Sequence, residues 1–436
     1  MYEARRGKKL RHYVEVGYAA ITLFALTQGP VYQLWSSSNS LLELSSSSPA
    51  NVHFATFLVV QLPGILLWSR RVNPDQFRKL PFLALFFLHV WLGATVVWST
   101  LARHSLPEMV ALAVTTMFGL YLAESFSRHE FWWIAAGAMS LGLGFSWWSI
   151  TRLWEGAVNF QMDYWQGIYG NRNSLAPIAA IAILAAFAIV SETFRKPWYR
   201  QSAGWLVYVL SSIVVLFSSV VLWQSGSQTS PTALGISIIA VLMWVVINAL
   251  GRRFSTAVRL LRSPTQFTLV VLGLITFFAL RLIGDSSVVS SDTATFNSRR
   301  ALWSVNWSGF LEKPLHGWGW MAARVTPDFF KQGTWWAAPE TQWAHNGYHD
   351  LLLGGGVLAV VLFGAFVLGA ARGYDTSHPS GTIPLLALTV FVLIAATQES
   401  FFVGSHFLWA LLIAALVIRC DDGALVQKNR AGQRTT

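Results

Sequence analysis

Residues 170–190 read GNRNSLAPIAAIAILAAFAIV. From Ser174 to Val190 the run has no charged residue and is almost wholly aliphatic. Its length approaches the ~20 apolar residues that cross a bilayer as a helix. The polar residues ahead of it read as a turn and a helix start, with Asn173 or Ser174 as the cap and Pro177 in the first turn. Arg172 is the residue that this local grammar does not require, because a cation is poorly placed at a helix N-terminus.

The same pattern extends in both directions. About twelve such segments follow one another, each near span length: Val14–Tyr32, Val52–Trp68, Pro81–Trp98, Pro107–Glu124, Phe131–Ile150, Ser174–Val190, Trp205–Trp223, Thr232–Leu250, Phe267–Ile283, Tyr348–Ala370, Ile383–Ala396 and Val403–Ile418. The last two are short or interrupted. Composition agrees: 54% of the 436 residues are hydrophobic and 12% charged, whereas soluble domains carry about 25% charge. An all-α polytopic membrane protein is therefore expected, and soluble globular classes are set aside. Residues 1–436 read as a single integral membrane domain with an uncleaved first helix. Residues 284–347 form a large outer loop between helices 9 and 10, and residues 420–436 a cytoplasmic tail.

The net charge of +11 would point to nucleic acid in a soluble protein. Here the basic residues flank spans and follow the positive-inside rule, so the lipid bilayer is the expected partner and nucleic acid is not. With both termini inside, 22 of the 31 basic residues fall on the cytoplasmic side. Seven of the other nine sit in two outer loops, Thr151–Asn173 and Asn297–His345. Topology alone does not call for arginines there. The single cysteine, Cys420, excludes an intrachain disulfide.

Three constellations in these loops bear chemistry. Gly170–Ala176 places Arg172 beside free backbone N–H groups, an arrangement suited to an anion. Asn297–Trp303 starts a helix at Asn297 or Ser298, and Trp303, Trp307 and Phe310 recur on one face. Arg299 and Arg300 in its first turn either anchor the helix to lipid phosphates or grip a substrate phosphate with paired hydrogen bonds. Ala344–Asp350 puts His345 before Asn346, a helix cap, with Asp350 in the first turn. His345 is then either an idle residue before the cap or a base working near neutral pH. Two further outer turns are less specific. Ser225–Ser230, containing Gln228, is an ordinary small-residue connection. Gln398-Glu399-Ser400 offers an acid that is either solvated or paired with an arginine. No His-Glu-x-x-His, paired-cysteine, DxD or P-loop pattern occurs.

The order of these pieces resembles the O-antigen ligase family of bacterial membrane proteins. Gly-Asn-Arg-Asn-Ser-Leu-Ala opens a mid-chain span and a Ser-x-Ser-x-Thr turn follows. Then come Ser-Arg-x-x-Leu-Trp, Lys313-Pro314-Leu315-His316-Gly317-Trp318-Gly319, and His345-Asn346-Gly347. The resemblance runs from about Tyr164 to Glu399. It implies a GT-C-like helical fold. It implies transfer of a glycan from a polyprenyl-pyrophosphate carrier to a lipid, glycan or protein acceptor hydroxyl on the outer face of the cytoplasmic membrane, with no cofactor and no metal. By matching motifs, His345 falls at the family's catalytic histidine, and Arg172 and Arg299 at its arginines, with Arg300 as a further pyrophosphate contact. Asn173, Gln228, Asn346 and Glu399 are the supporting candidates. Many ligases carry arginine where this chain has Gln228, and Arg300 or Arg281 would supply the missing contact. Ligase and polymerase both stay open. A transporter or flippase of lipid-linked glycans is the alternative from another class, and a peptidoglycan polymerase of the shape-and-division type is a third.

Overall fold

Within a bilayer every backbone N–H and C=O must find its partner inside the chain, which leaves a helix as the form these apolar runs can take. A computed structural model describes residues 2–31, 49–72, 75, 78–154, 156–160, 163–193, 204–250, 296–322, 344–372 and 379–418. It is 80% helical. Among the described residues the sheet is one antiparallel pair, β1 (Val158–Asn159) with β2 (Tyr164–Trp165), in the register Val158↔Trp165 and Asn159↔Tyr164.

The helices are α1 (Tyr2–Ala25), α2 (Pro49–Ser69), α3 (Leu80–Ala94), α4 (Ala102–Ser125), α5 (Arg128–Thr151), α6 (Arg172–Thr193), α7 (Gly204–Gln224), α8 (Thr229–Leu250), α9 (Phe296–Glu312), α10 (Gly347–Ala371), α11 (Pro379–Ala395) and α12 (Phe407–Val417). Among the described residues six helices are long and apolar enough to cross a membrane: α3 with the 3-10 turn that extends it to Trp98, then α4, α6, α7, α8 and α10. Shorter apolar helices cover Thr56–Ser69, Gly381–Ala395 and Phe407–Val417. The chain is thus an all-α, multi-pass membrane protein. The expected span Phe267–Ile283 and the tail 420–436 lie outside the described residues, as do 284–295 and 323–343 of the expected loop.

Two kinds of apolar helix separate clearly. α6 is hydrophobic all round and buried: Leu175, Ala176, Ile178, Ala179, Ala180 and Ile181 are fully covered. It packs between α5 and α7 and touches α8 and α11. α7 is equally apolar but exposes Leu206, Ile213, Leu216 and Val220. Exposed aliphatic faces of that extent fit lipid as the surrounding solvent and would be a liability in water. The other principal pairs are α3 with α10, α4 with α12, α2 with α4, α1 with α5, and α8 with α11.

The two ends of α6 are built differently. At its C-terminal end Glu192 is buried and accepts from Arg128 Nε at 2.6 Å, with His129 Nδ1 at 3.2 Å from its other oxygen. Its N-terminal end, roughly 30 Å away at 1.5 Å per residue, carries Arg172 and Asn173.

Candidate functional site

Asn171, rather than Asn173 or Ser174, caps α6: its Oδ1 accepts from the Asn173 N–H at 2.8 Å. The cap therefore sits two or three residues earlier than expected. The physical consequence is that the Asn173 side chain is freed from the backbone. Its Nδ2 donates to Glu399 Oε1 at 2.8 Å, and its Oδ1 accepts from Ser227 Oγ at 2.9 Å.

Glu399 lies just beyond α11, where the chain leaves the helix, and is buried. Its second oxygen, Oε2, is 2.9 Å from His345 Nδ1. An ionised carboxylate can only accept, so the neutral tautomer this contact selects carries its proton on Nδ1 and leaves the Nε2 lone pair free. His345 is half-buried, with its side chain 34% exposed. Serine, asparagine, glutamate and histidine thus form one chain of hydrogen bonds drawn from four distant segments.

Several contacts hold His345 at the end of that chain. Its backbone has φ +48°, a left-handed setting that costs a non-glycine residue on the order of 1–3 kcal/mol and occurs where surrounding structure imposes it. Ala344, just before it, accepts from the Trp303 indole N–H of α9 at 3.1 Å. Asn346 caps α10, as expected, accepting from the N–H groups of Tyr348 (3.0 Å) and His349 (3.2 Å). Asn346 is thereby a structural cap. The Gly347 N–H is shared between the carbonyls of Ala396 (2.7 Å) and Glu399 (3.1 Å). This sharing stitches the start of α10 to the segment that carries the glutamate.

Arg172 opens α6. Its guanidinium lies over the Tyr164 ring, 4.8 Å from the centroid, and Nη1 donates to the Gly226 carbonyl at 3.3 Å. It is held between the β2 strand and the turn joining α7 to α8. Gln228 in that turn is exposed. Its neighbour Thr229 donates to Gln398 Oε1 at 3.2 Å. The Ser225–Ser230 turn, ordinary by sequence, is therefore the third wall of the site, and Ser227 is a member that sequence reasoning missed. Local chemistry did not separate Ser227 from any other small polar hairpin residue, and the resemblance drew attention to Gln228 in the same turn instead. Glu399 was legible only as an acid near a span end; the partners it meets are His345 and Asn173.

Arg299 and Arg300 are helical in backbone and occupy the first turn of α9, which begins at Phe296. Their side chains lie outside what the structure describes, as does Arg281. The next turn of α9 carries Trp303, the residue bonded to Ala344. Both arginines thus belong to the helical turn adjoining the anchor of His345. Among the described residues, no group of three or more His, Cys, Asp or Glu side chains is placed to hold a metal ion.

Fold and site together define a multi-pass helical membrane protein with a polar, hydrogen-bonded centre at one end of its helices. Compared with known proteins, the chain matches no family model and no curated protein.

Proposed function

We propose that this protein is a glycan transferase. It moves a glycan from a polyprenyl-pyrophosphate carrier to an acceptor hydroxyl at the outer face of a bacterial cytoplasmic membrane, on about twelve spans arranged in a GT-C-like way. The observation that carries the reading is the chain Asn173–Glu399–His345, which leaves a basic Nε2 at the edge of the site. In the reaction, Nε2 takes the acceptor hydroxyl proton as the oxygen bonds to the anomeric carbon. The bond from that carbon to the pyrophosphate oxygen breaks, and the electron pair leaves with the polyprenyl pyrophosphate. Positive charge beside the phosphates stabilises that departure, and Arg172, Arg299 and Arg300 are the candidates to supply it. Ligase and polymerase differ only in whether the acceptor is a different molecule or another copy of the glycan.

A transporter of lipid-linked glycans has one observation on its side: α10 is a broken helix, with non-helical backbone at Gly356, and interrupted helices mark many transporter sites. The break is filled by the protein's own chain, which favours the transferase. Product chemistry decides between them. Membranes containing the protein, given lipid-linked donor and acceptor, should release free polyprenyl pyrophosphate, and should do so in excess chelator because the sequence offers no metal-ligand spacing. A transporter releases none. Chelator-abolished release restored by magnesium would overturn the metal-free part of the reading.

The two arginines of α9 should differ. Arg299→Lys is expected to impair turnover more than Arg300→Lys, since lysine loses the planar two-point grip on phosphate that arginine provides. Steady-state kinetics of both variants check this. Near-normal, equal activity would assign both residues to anchoring the helix.

A further inference from the structure

α10 consists of two helical pieces. At Gly356 the backbone takes φ +68° and ψ −166°, a combination that essentially only glycine adopts. In an unbroken helix the Val357 N–H would donate to the Leu353 carbonyl four residues back. Here the Val357 N–H donates to the Pro314 carbonyl at 2.8 Å, and the Leu353 carbonyl accepts from the Trp318 N–H at 2.7 Å. The segment Pro314–Trp318 has entered the missing bond and satisfies each half of it. Unpaired backbone groups are costly in apolar surroundings, so the break and the inserted segment require one another.

The fit is close on every side. Gly317 has φ +68°, and a Cβ there would lie 2.6 Å from the Leu353 carbonyl oxygen. At Gly356 a Cβ would overlap the Leu315 carbonyl. The Trp91 indole of α3 donates to the Gly355 carbonyl at 2.7 Å, and the Trp320 N–H donates to Thr95 Oγ1 at 2.9 Å. The inserted segment continues directly from α9 and is tied back to it: Trp318 Nε1 donates to the Gly309 carbonyl at 2.8 Å. Phe310 of α9 packs with Leu353.

The piece before the break, Gly347–Gly355, follows directly on His345 and its cap Asn346. α9 carries Arg299 and Arg300 in its first turn. We infer that the Pro314–Trp318 segment is a positioning device that locks the histidine-bearing piece of α10 to the arginine-bearing helix, with Gly317, Trp318 and Gly356 as its positioning residues. The inference rests on the transferase reading for its kinetic consequence only.

The test uses the full chain in lipid nanodiscs, with Gly317→Ala, Gly356→Ala and Trp318→Phe. Folding is checked by size-exclusion chromatography. Each folded glycine variant should lose kcat by on the order of 10²-fold, the cost of moving a reacting group by about 1 Å, while KM for the lipid-linked donor stays near wild type. Trp318→Phe removes one N–H without adding bulk, carries the test if the glycine variants fail to fold, and should lose kcat in the same direction. A second readout needs no activity: the rate of His345 carbethoxylation by diethyl pyrocarbonate, followed by mass spectrometry. It should depart from the wild-type rate in the folded variants as the bond to Glu399 loosens, with His12 at the far end of the bundle unchanged. Wild-type carbethoxylation of His345 in folded Gly317→Ala and Trp318→Phe would overturn the inference. Altered carbethoxylation in a protein whose wild type transfers no glycan would uphold the positioning role and overturn the transferase.

Discussion

His345→Ala is expected to lower glycan transfer by on the order of 10²–10⁴-fold, the loss that follows removal of a positioned general base. The geometry explains why the loss should fall on chemistry and leave the fold intact. The cap of α10 is Asn346, which bonds the Tyr348 and His349 N–H groups by itself. The His345 side chain caps nothing and is one-third exposed. Binding of the lipid-linked donor should persist, because the pyrophosphate is assigned to the arginines. His349 is the control. It is buried, with its ring 6.1 Å from that of Trp303, and His349→Ala should retain far more activity per folded molecule. Purified enzyme assayed with lipid-linked donor makes the comparison. A folded His345→Ala protein with near wild-type turnover would remove the histidine from the mechanism.

Glu399→Gln is expected to be almost as damaging. The wild-type carboxylate accepts at both oxygens, from His345 Nδ1 and from Asn173 Nδ2. Glutamine keeps one acceptor and gains an NH2 group. If its carbonyl stays with Asn173, the NH2 faces Nδ1 and drives the imidazole proton to Nε2, the atom that must stay basic. Converting the acid of a catalytic triad to its amide traps the wrong tautomer in this way and costs about 10⁴-fold. That figure is the upper bound here. The loss should appear in kcat with KM for the donor little changed. Asn173→Ala should be milder, because it leaves Glu399 facing His345 and removes one donor to it, together with the acceptor of the Ser227 hydroxyl. A Glu399→Gln enzyme with normal kcat would mean that the carboxylate serves only to hold the start of α10.

Much was legible in the residues because the solvent is severe. A bilayer forbids unpaired backbone, so uncharged runs such as Ser174–Val190 had to be helices, and the described helices bear that reading out. The Asn346 cap and Asp350 in the first turn of α10 were also readable, since capping is settled within four residues. His345, Arg172 and the Arg299–Arg300 pair stood out for a related reason: charge and imidazole are sparse at the ends of apolar runs, although lipid anchoring or an idle place before a cap also accounts for some of them.

What tertiary structure decided was every partnership between distant segments. Glu399 stands 54 residues after His345 and 226 after Asn173, and no local pattern states which acid meets which imidazole. The shift of the α6 cap to Asn171 was invisible for the same reason, because Asn173 is as good a cap until Glu399 competes for its side chain. Gly356 inside an apolar run reads as an ordinary small residue in a membrane helix. It becomes a break only because Pro314–Trp318 arrives from the preceding helix to take both halves of one backbone bond. Composition and local hydrogen-bond rules determine helices and caps, whereas the long-range bonds depend on which surfaces the packed helices bring face to face.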